Sequence, residues 1–176
     1  MSKPRIMFYH DGRHPLVYMY EPPMQKEEYQ SAIDELAGTP VEALMLSLGE
    51  GRTMLHNTKV GELLGHNIKE KEWEHQIFLR AHQNAKHLIN EGNDPLKIIC
   101  DQAHDKGILL YPTLLVGQLG GDWVPMRASD FRKNNHHLDI GASGDLEKDH
   151  PAYGYLDFKH KESRAERFAI IEEVVT

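Results

Sequence analysis

The sequence has little of several features that mark whole classes of protein. Only one of its 176 residues, Cys100, is a cysteine, so no disulfide can form within the chain, and a reducing compartment is the ordinary setting for such a protein. No stretch approaches the ~20 consecutive apolar residues of a membrane-spanning helix. The first residues, MSKPRIMFYHDG, contain no apolar run long enough for a signal peptide. We therefore expect no membrane partner, and the cytoplasm is the default location.

Positive charge is also scarce, with 20 lysines and arginines against 27 aspartates and glutamates and a net charge of −7. General nucleic-acid binding needs a basic face, so we expect no nucleic-acid partner. No G-x-G-x-x-G follows the first predicted strand, and neither a P-loop nor an H-E-x-x-H pair occurs. The sequence therefore predicts no cofactor and no metal site. Its twelve histidines are scattered along the chain rather than grouped.

The pattern of apolar residues is typical of alternating strands and helices. Three apolar runs predict buried strands at residues 5–9, 43–48 and 109–115. Apolar residues at helical spacing predict helices at about 24–37, 73–91 and 94–107, a short helix near Ser129 and a final helix that begins near 160–163. Residues 153–158 fit either a short strand or an extended loop. The final helix carries a predicted inward stripe of Ala165, Phe168, Ala169, Ile171 and Val175.

Strands that alternate with helices predict parallel pairing through right-handed crossovers, with the three strands adjacent in the order 1-2-3. The loops after the strands are long and polar, and the turns before them are short. That asymmetry is typical of a (β/α)8 barrel, whose working loops follow the strands. A full barrel needs about 250 residues. The expected fold is therefore a partial TIM-barrel-like α/β domain, with about three to four parallel strands, in which residues 1–176 form the N-terminal part and the final helix is the third barrel helix.

Five segments of the sequence resemble a known family: FYHDG, YMYEPPM, HNTKVGE, DPLKIICDQAHDKGI and YLDFKHKESRAERFAIIEEVV. They are similar to the N-terminal half of bacterial family-10-like glycosyl hydrolases, which are (β/α)8 enzymes. The resemblance implies a carbohydrate partner, namely a polysaccharide or oligosaccharide. It also implies that catalytic carboxylates lie on a later strand of the type DVDGIELDF, which this chain does not contain. We therefore expect the isolated chain to be inactive, and a second copy or a complementing chain to associate with it.

Candidate substrate-binding residues follow the predicted strands, because parallel strands present their C-terminal loops to one side. A histidine and an acid end the first strand, where a hydrogen-bonded turn is the alternative. A glutamate between two glycines follows the second strand, and the alternative there is a solvated turn. A tryptophan after the third strand could stack on a sugar ring or anchor the loop. The candidates are His10, Asp11, Glu50, Asn57, Lys59, Gln118, Asp122 and Trp123.

Glycoside hydrolysis usually needs two carboxyl groups, about 5–5.5 Å apart for retention or ~6.5–9.5 Å for inversion. The visible acids form no such pair, so the catalytic residues stay unassigned. Two alternatives remain open: a non-catalytic carbohydrate-binding or scaffolding chain, and a metal-dependent sugar isomerase or epimerase barrel that would use the histidines and acids as ligands. Cys100 falls on the apolar stripe of its predicted helix, so we expect it in the core.

Overall fold

The structure, a computed structural model, describes residues 3–50, 53–69, 72–73, 75–116 and 128–176. Its centre is a parallel sheet of β1 (Met7–His10), β2 (Ala43–Ser47) and β6 (Leu109–Thr113), in the order β1-β2-β6. Both pairings are parallel. The predicted strands, their order and their direction are confirmed. Their predicted burial holds only for β2, because β1 is mostly exposed and β6 is half-buried to exposed.

Three helices connect these strands: α1 (Lys26–Asp34), α2 (Gln76–Asn90) and α3 (Pro95–Asp105). Local sequence explains their starts. The side chain of Asp94 accepts hydrogen bonds from the backbone of Leu96 and Lys97, which caps α3. Helix α2 begins three residues later than Trp73, the predicted start. No helix in the described part of the chain is both long and apolar enough to cross a membrane.

The main core lies on one face of the sheet. Leu44 and Leu46 of β2 are buried together with Ile33 of α1 and Ile99 of α3, and α1 packs against α3. Both helices therefore cover the same face. Side chains alternate along a strand, so Tyr9, Met45 and Tyr111, which are aligned across the sheet, lie on the other face. Of these, Tyr9 and Tyr111 are 53% and 43% exposed.

A second, smaller sheet follows the carboxyl end of β2. It consists of β3 (Gly49–Glu50), β4 (Thr53–Met54) and β5 (Glu62–Leu63), with β3 antiparallel and β5 parallel to β4. Gly49 has φ +145°, and the carbonyl of Thr53 occupies the place where a Cβ would be. Only glycine fits this turn.

Residues 128–160 are mostly irregular. Helix α4 (Asp130–Asn134) begins next to Ser129, as predicted, and the Ser129 side chain caps it. Two 3-10 turns follow. The guanidinium of Arg132 is fully buried, forms an ion pair with Asp139 and donates a 2.7 Å hydrogen bond to the carbonyl of Gly154. The alternative of an extended loop holds for residues 153–158, where the single bridge Asp139–Leu156 replaces a strand.

Helix α5 (Lys161–Val175) exists as predicted, but the predicted inward stripe is wrong. Phe168, Ile171 and Val175 are exposed, and Ile170 is buried against residues that follow β2 and β4. The helix buries a face that is largely polar, and its last turns meet the start of α3. It therefore does not pack as a third barrel helix beside α3. The buried residues of α5 are Ser163, Glu166, Arg167 and Ile170.

Candidate functional site

The turn after β1 is built by its own side chains. The backbone N–H of Gly12 donates to Nδ1 of His10 at 3.0 Å, and those of Arg13 and His14 donate to Oδ1 of Asp11, both at 2.9 Å. The turn packs against the carbonyl of Ser47 at the end of β2, and Gly12, at φ +72°, leaves no room there for a side chain. Burial lowers the pKa of His10, with the Asp11 charge acting in the opposite direction. The ring is therefore neutral at neutral pH.

The side chain of Tyr29, on α1, contacts this turn. Its hydroxyl donates a 3.0 Å hydrogen bond to the carbonyl of Gly12, and its ring is buried. Burial raises the pKa of Tyr29 above the ordinary range for a phenol, so the hydroxyl stays protonated. Tyr29, Ser47 and His56 all line one small cavity.

His56 lies between that cavity and a larger cleft. Its side chain is 5% exposed, and its Nε2 makes no hydrogen bond with any described residue. Burial lowers its pKa, while the charges of Asp94 and Glu173 act in the opposite direction. The result is a neutral imidazole whose Nε2 has no hydrogen-bond partner among the residues that the structure describes.

The larger cleft, here called the α3–α5 cleft, has a volume of about 340 Å³. It opens at the carboxyl end of the sheet, between the start of α3, the last turns of α5 and the loop after β4. Its walls mix apolar and polar groups. The lining residues are His56, Asn57, Asp94, Leu96, Lys97, Cys100, Asp101, Glu173 and Val174.

Each carboxylate of the α3–α5 cleft already accepts hydrogen bonds. Oδ1 of Asp94 caps α3 and its Oδ2 accepts from the backbone N–H of Asn57 at 2.9 Å. Asp101 pairs with Lys97 at 2.8 Å. Glu173 accepts from the backbone and side chains of the loop after β4. All three thus accept hydrogen bonds from neighbouring groups.

Glu173 shows most clearly how the loop NTKVG is used. Its two oxygens accept from the hydroxyl of Thr58 and the backbone N–H of Lys59, both at 2.5 Å. Burial alone would raise the pKa of Glu173, but the hydrogen bonds from Thr58, Lys59 and Val60 together outweigh burial and lower it. The distinctive loop therefore binds a carboxylate of α5 and fixes the helix on the carboxyl end of the sheet.

The structure unites some of the residues predicted for the site. His10 and Asp11 lie beside Ser47 at the carboxyl end of the sheet, and both serve the hydrogen-bonded turn that was their alternative interpretation. Asn57 lines the α3–α5 cleft, and Lys59 binds Glu173 through its backbone. The backbone of Glu50 belongs to β3. Gln118, Asp122 and Trp123 lie outside the described residues.

Cys100 corrects one prediction and shows what sequence reasoning missed. It is exposed in the cleft rather than buried in the core, because α3 turns Ile98, Ile99 and Ala103 toward the sheet. His56 was not singled out either. His56 directly follows a short apolar run in the sequence. That position could have predicted a buried histidine at the carboxyl end of the sheet.

These features define a class of protein: an α/β chain whose helices α1 and α3 cover one face of a parallel sheet and whose ligand-sized cleft opens at the carboxyl end. Neither models of known protein families nor curated proteins match the sequence. Any particular function for the cleft is consequently a proposal from its chemistry and from the resemblance of the sequence segments.

Proposed function

We propose that this chain is part of a carbohydrate-active protein and binds a neutral saccharide in the α3–α5 cleft. The observation that carries the proposal is the cleft itself, which lies outside the carboxyl end of a parallel sheet, where open α/β folds bind ligands. Its volume of about 340 Å³ falls within the range of small-molecule sites, roughly 300–1,000 Å³.

The cleft has the mixed lining that a sugar needs. A saccharide presents apolar C–H faces and a ring of hydroxyl groups. Leu96 and Val174 offer apolar contacts, while Asn57, Lys97 and Asp101 offer hydrogen-bond donors and acceptors. The chain has a net charge of −7, which disfavours an acidic glycan. The resemblance to family-10-like glycosyl hydrolases supports the same class of ligand.

Hydrolysis is proposed only for a complete domain. A glycosidase needs a carboxylic acid that is still protonated at the working pH. The lowered pKa of Glu173 makes it unsuitable as that acid, and Asp94 is occupied as a helix cap. In this proposal the described residues bind the sugar, and other residues supply acid and nucleophile. The same observation favours the second candidate, a carbohydrate-binding chain without catalysis.

A partial (β/α)8 barrel remains our proposal for the wider architecture. Its support is the order β1-β2-β6 with α1 and α3 on the same face, since doubly wound sheets place helices on both faces. The position of α5 counts against a regular barrel. On this proposal α5 belongs to the loop region at the carboxyl end, and a different segment would cover β6.

The binding proposal is tested by calorimetric titration of the 176-residue chain with a panel of neutral and acidic oligosaccharides. Asn57→Ala removes a side chain of the cleft but keeps the backbone N–H that Asp94 needs. We expect at least a tenfold weaker Kd for this variant, about 1.4 kcal/mol. Asn90→Ala, at the end of α2 and exposed, is the matched control and should bind normally. Absence of binding across the panel, or equal binding by both variants, would refute the proposal.

We also propose that the chain associates with a second copy or a complementing chain. The support is the exposed stripe of Phe168, Ile171 and Val175 on α5 together with exposed Phe8 on β1. Sedimentation of the wild-type chain should show a species larger than the monomer, and the double variant Phe168→Glu and Ile171→Glu should reduce it. A wild-type monomer at all concentrations, with no added partner bound, would contradict this proposal.

A further inference from the structure

A second polar cluster lies away from the α3–α5 cleft and joins two distant segments. Glu62 comes from β5, His66 follows it by one turn, and Asp130 is the first residue of α4. One ligand atom from each side chain lies within 4.8 Å of the other two. In the described part of the chain this is the one group of three or more such residues with that property. The cluster includes neither His10 nor Asp11, and none of its three residues was a candidate in the sequence analysis.

The hydrogen bond at Nδ1 of His66 determines which ring nitrogen carries the proton. Its Nδ1 lies 3.2 Å from the carbonyl oxygen of Leu63, which can only accept, so Nδ1 carries a proton. In the neutral ring Nε2 then carries a lone pair and no proton. That nitrogen faces Oε2 of Glu62 at 3.4 Å and Oδ2 of Asp130 at 3.3 Å. Three groups that can donate an electron pair therefore converge, and a cation between them would stabilise this arrangement.

The distances fit a metal ion. If Nε2 carried a proton, charge-assisted hydrogen bonds to the carboxylates would be about 2.7–2.9 Å long. The observed separations of 3.3 and 3.4 Å are longer. Ligand atoms bound at about 2.0–2.1 Å to a tetrahedral zinc ion lie about 3.3–3.4 Å apart, by the geometry of the tetrahedron. The spacing of the nitrogen from both oxygens matches that edge length.

Neighbouring groups hold the three side chains in place. Nδ2 of Asn67 donates to Oδ1 of Asp130 at 2.6 Å, which leaves Oδ2 directed at His66. The carboxylate of Glu62 accepts from the backbone N–H of Asp130 at 2.8 Å and from that of Phe131 at 3.3 Å. Such outer contacts orient ligands in known metal sites: histidine bonds a carbonyl through its second nitrogen, and carboxylates are themselves hydrogen-bonded.

We propose that Glu62, His66 and Asp130 bind one divalent transition-metal ion, with zinc as the best fit. One nitrogen and two carboxylate oxygens make three protein ligands, and the exposure of Asp130 leaves the fourth position open to water. The ion joins the β5 segment to α4, across 64 residues of chain between His66 and Asp130. The site is independent of saccharide binding in the α3–α5 cleft.

The test is metal binding alone, measured on the 176-residue chain after treatment with a chelator. Titration with zinc chloride should give one tight equivalent, and Co²⁺ in its place should give the intense visible absorption of a tetrahedral ion. His66→Gln and Asp130→Asn should each weaken the tight equivalent by more than about 100-fold, and Asn67→Ala by about 10- to 100-fold, the range for outer contacts. His104→Gln, an exposed histidine on α3, is the control and should keep it.

Folding is monitored in parallel, so that a loss of binding is not confused with unfolding. Without metal, His66→Gln and Asp130→Asn should melt near the wild-type temperature. With excess zinc only the wild type and His104→Gln should melt at a higher temperature, because binding to the folded state stabilises it. A tight equivalent that survives in both His66→Gln and Asp130→Asn, or a wild-type chain with no tight equivalent, would overturn the proposal.

Discussion

Residues 3–116 bury leucine, isoleucine and alanine between helices and sheet, whereas residues 128–176 bury charged side chains. Within the described chain, every buried aspartate, glutamate, lysine or arginine belongs to the second region: Arg132, Asp139, Glu166 and Arg167. The buried polar side chain Asn84 in the first region is fully used, since it accepts from Met24 and donates to the carbonyls of Leu16 and Tyr20. The first region is thus stabilised by apolar burial, and the second by paired charge together with a few buried apolar side chains such as Ile170.

The contrast predicts different responses to mutation. Truncation of a buried apolar side chain lowers the free energy of unfolding in proportion to the volume removed, whereas a buried charge left without its partner carries a desolvation cost.

The largest effect should come from the buried ion pair of the second region. Arg132→Met leaves the carboxylate of Asp139 buried without its partner, and we expect a loss of about 3–5 kcal/mol in the free energy of unfolding. The double variant with Asp139→Leu should recover much of that loss. Arg5→Met removes an exposed ion pair with Glu42 and should cost much less, because water screens exposed charges. Equal losses for Arg132→Met and Arg5→Met in urea unfolding would contradict the comparison.

The next largest effect on stability should be the difference between substitutions on the buried and the exposed face of α5. Ile170 is fully buried and Phe168 is 63% exposed. Ile170→Ala should cost about 2–5 kcal/mol, and Phe168→Ala should change stability by less than about 0.5 kcal/mol. Thermal and urea unfolding of both variants measure this directly. The reverse ranking would restore the inward stripe predicted from the sequence and would show α5 rotated about its axis.

A smaller effect should come from the contact that links the two regions. Thr58→Val removes the hydroxyl that donates to Glu173, and a hydrogen bond to a charged group is worth about 1.5–3 kcal/mol. Thr39→Val, which removes a hydroxyl bonded to the carbonyl of Leu36 in a turn, is the control and should cost about 1 kcal/mol or less. If the two threonine variants are equally stable in urea, the link contributes nothing.

Glu173 also predicts a dependence on pH. Its pKa is lower in the folded chain than the 4.5 of an ordinary glutamate. Its stabilising contribution is therefore present above pH 4.5 and is lost as the pH falls through the folded pKa. Glu173→Gln should be less stable than wild type at neutral pH, and the difference should shrink in acid. A difference that stays constant from pH 7 to pH 3 would argue against this contribution.

The smallest effect is expected at His56. Burial lowers its pKa below 6.5, so the folded chain disfavours the protonated ring. The contribution of neutral His56 to stability is present above pH 6.5 and is lost as the pH falls through the folded pKa. His56→Gln should remove that part of the acid sensitivity, while His104→Gln, which alters an exposed ring, should not. Unfolding measured at intervals from pH 8 to pH 5 compares them.

Local sequence predicted the parallel strands and the helices of the first region better than it predicted the packing of the second. For α3, the cap Asp94, the proline after it and Gly107 are neighbours in the chain, and the predicted range of 94–107 matches Pro95–Asp105 closely. For α5, the start was predictable from the sequence around His160, but the buried face was not. The face that a helix buries depends on the surface that it meets, and α5 buries Glu166 and Arg167.

The candidate site shows the same limit. Alternation of strands and helices predicted that residues after successive strands, His10 and Asp11 among them, share the carboxyl end of the sheet, because parallel strands end on one side. The α3–α5 cleft could not be predicted in this way. It depends on the contact of Thr58 with Glu173, which are 115 residues apart, and no local pattern encodes a pairing at that distance.

That distance also bears on the order in which the chain folds. The crossovers β1–α1–β2 and β2–α3–β6 form from neighbouring segments, whereas α5 reaches its place only when Glu173 meets a loop 115 residues earlier. Closing a long loop costs entropy before its contacts form, so contacts distant in sequence slow folding. We therefore expect the sheet with α1 and α3 to form first and α5 to dock last. The α3–α5 cleft would then be the last part of the structure to form as the chain folds.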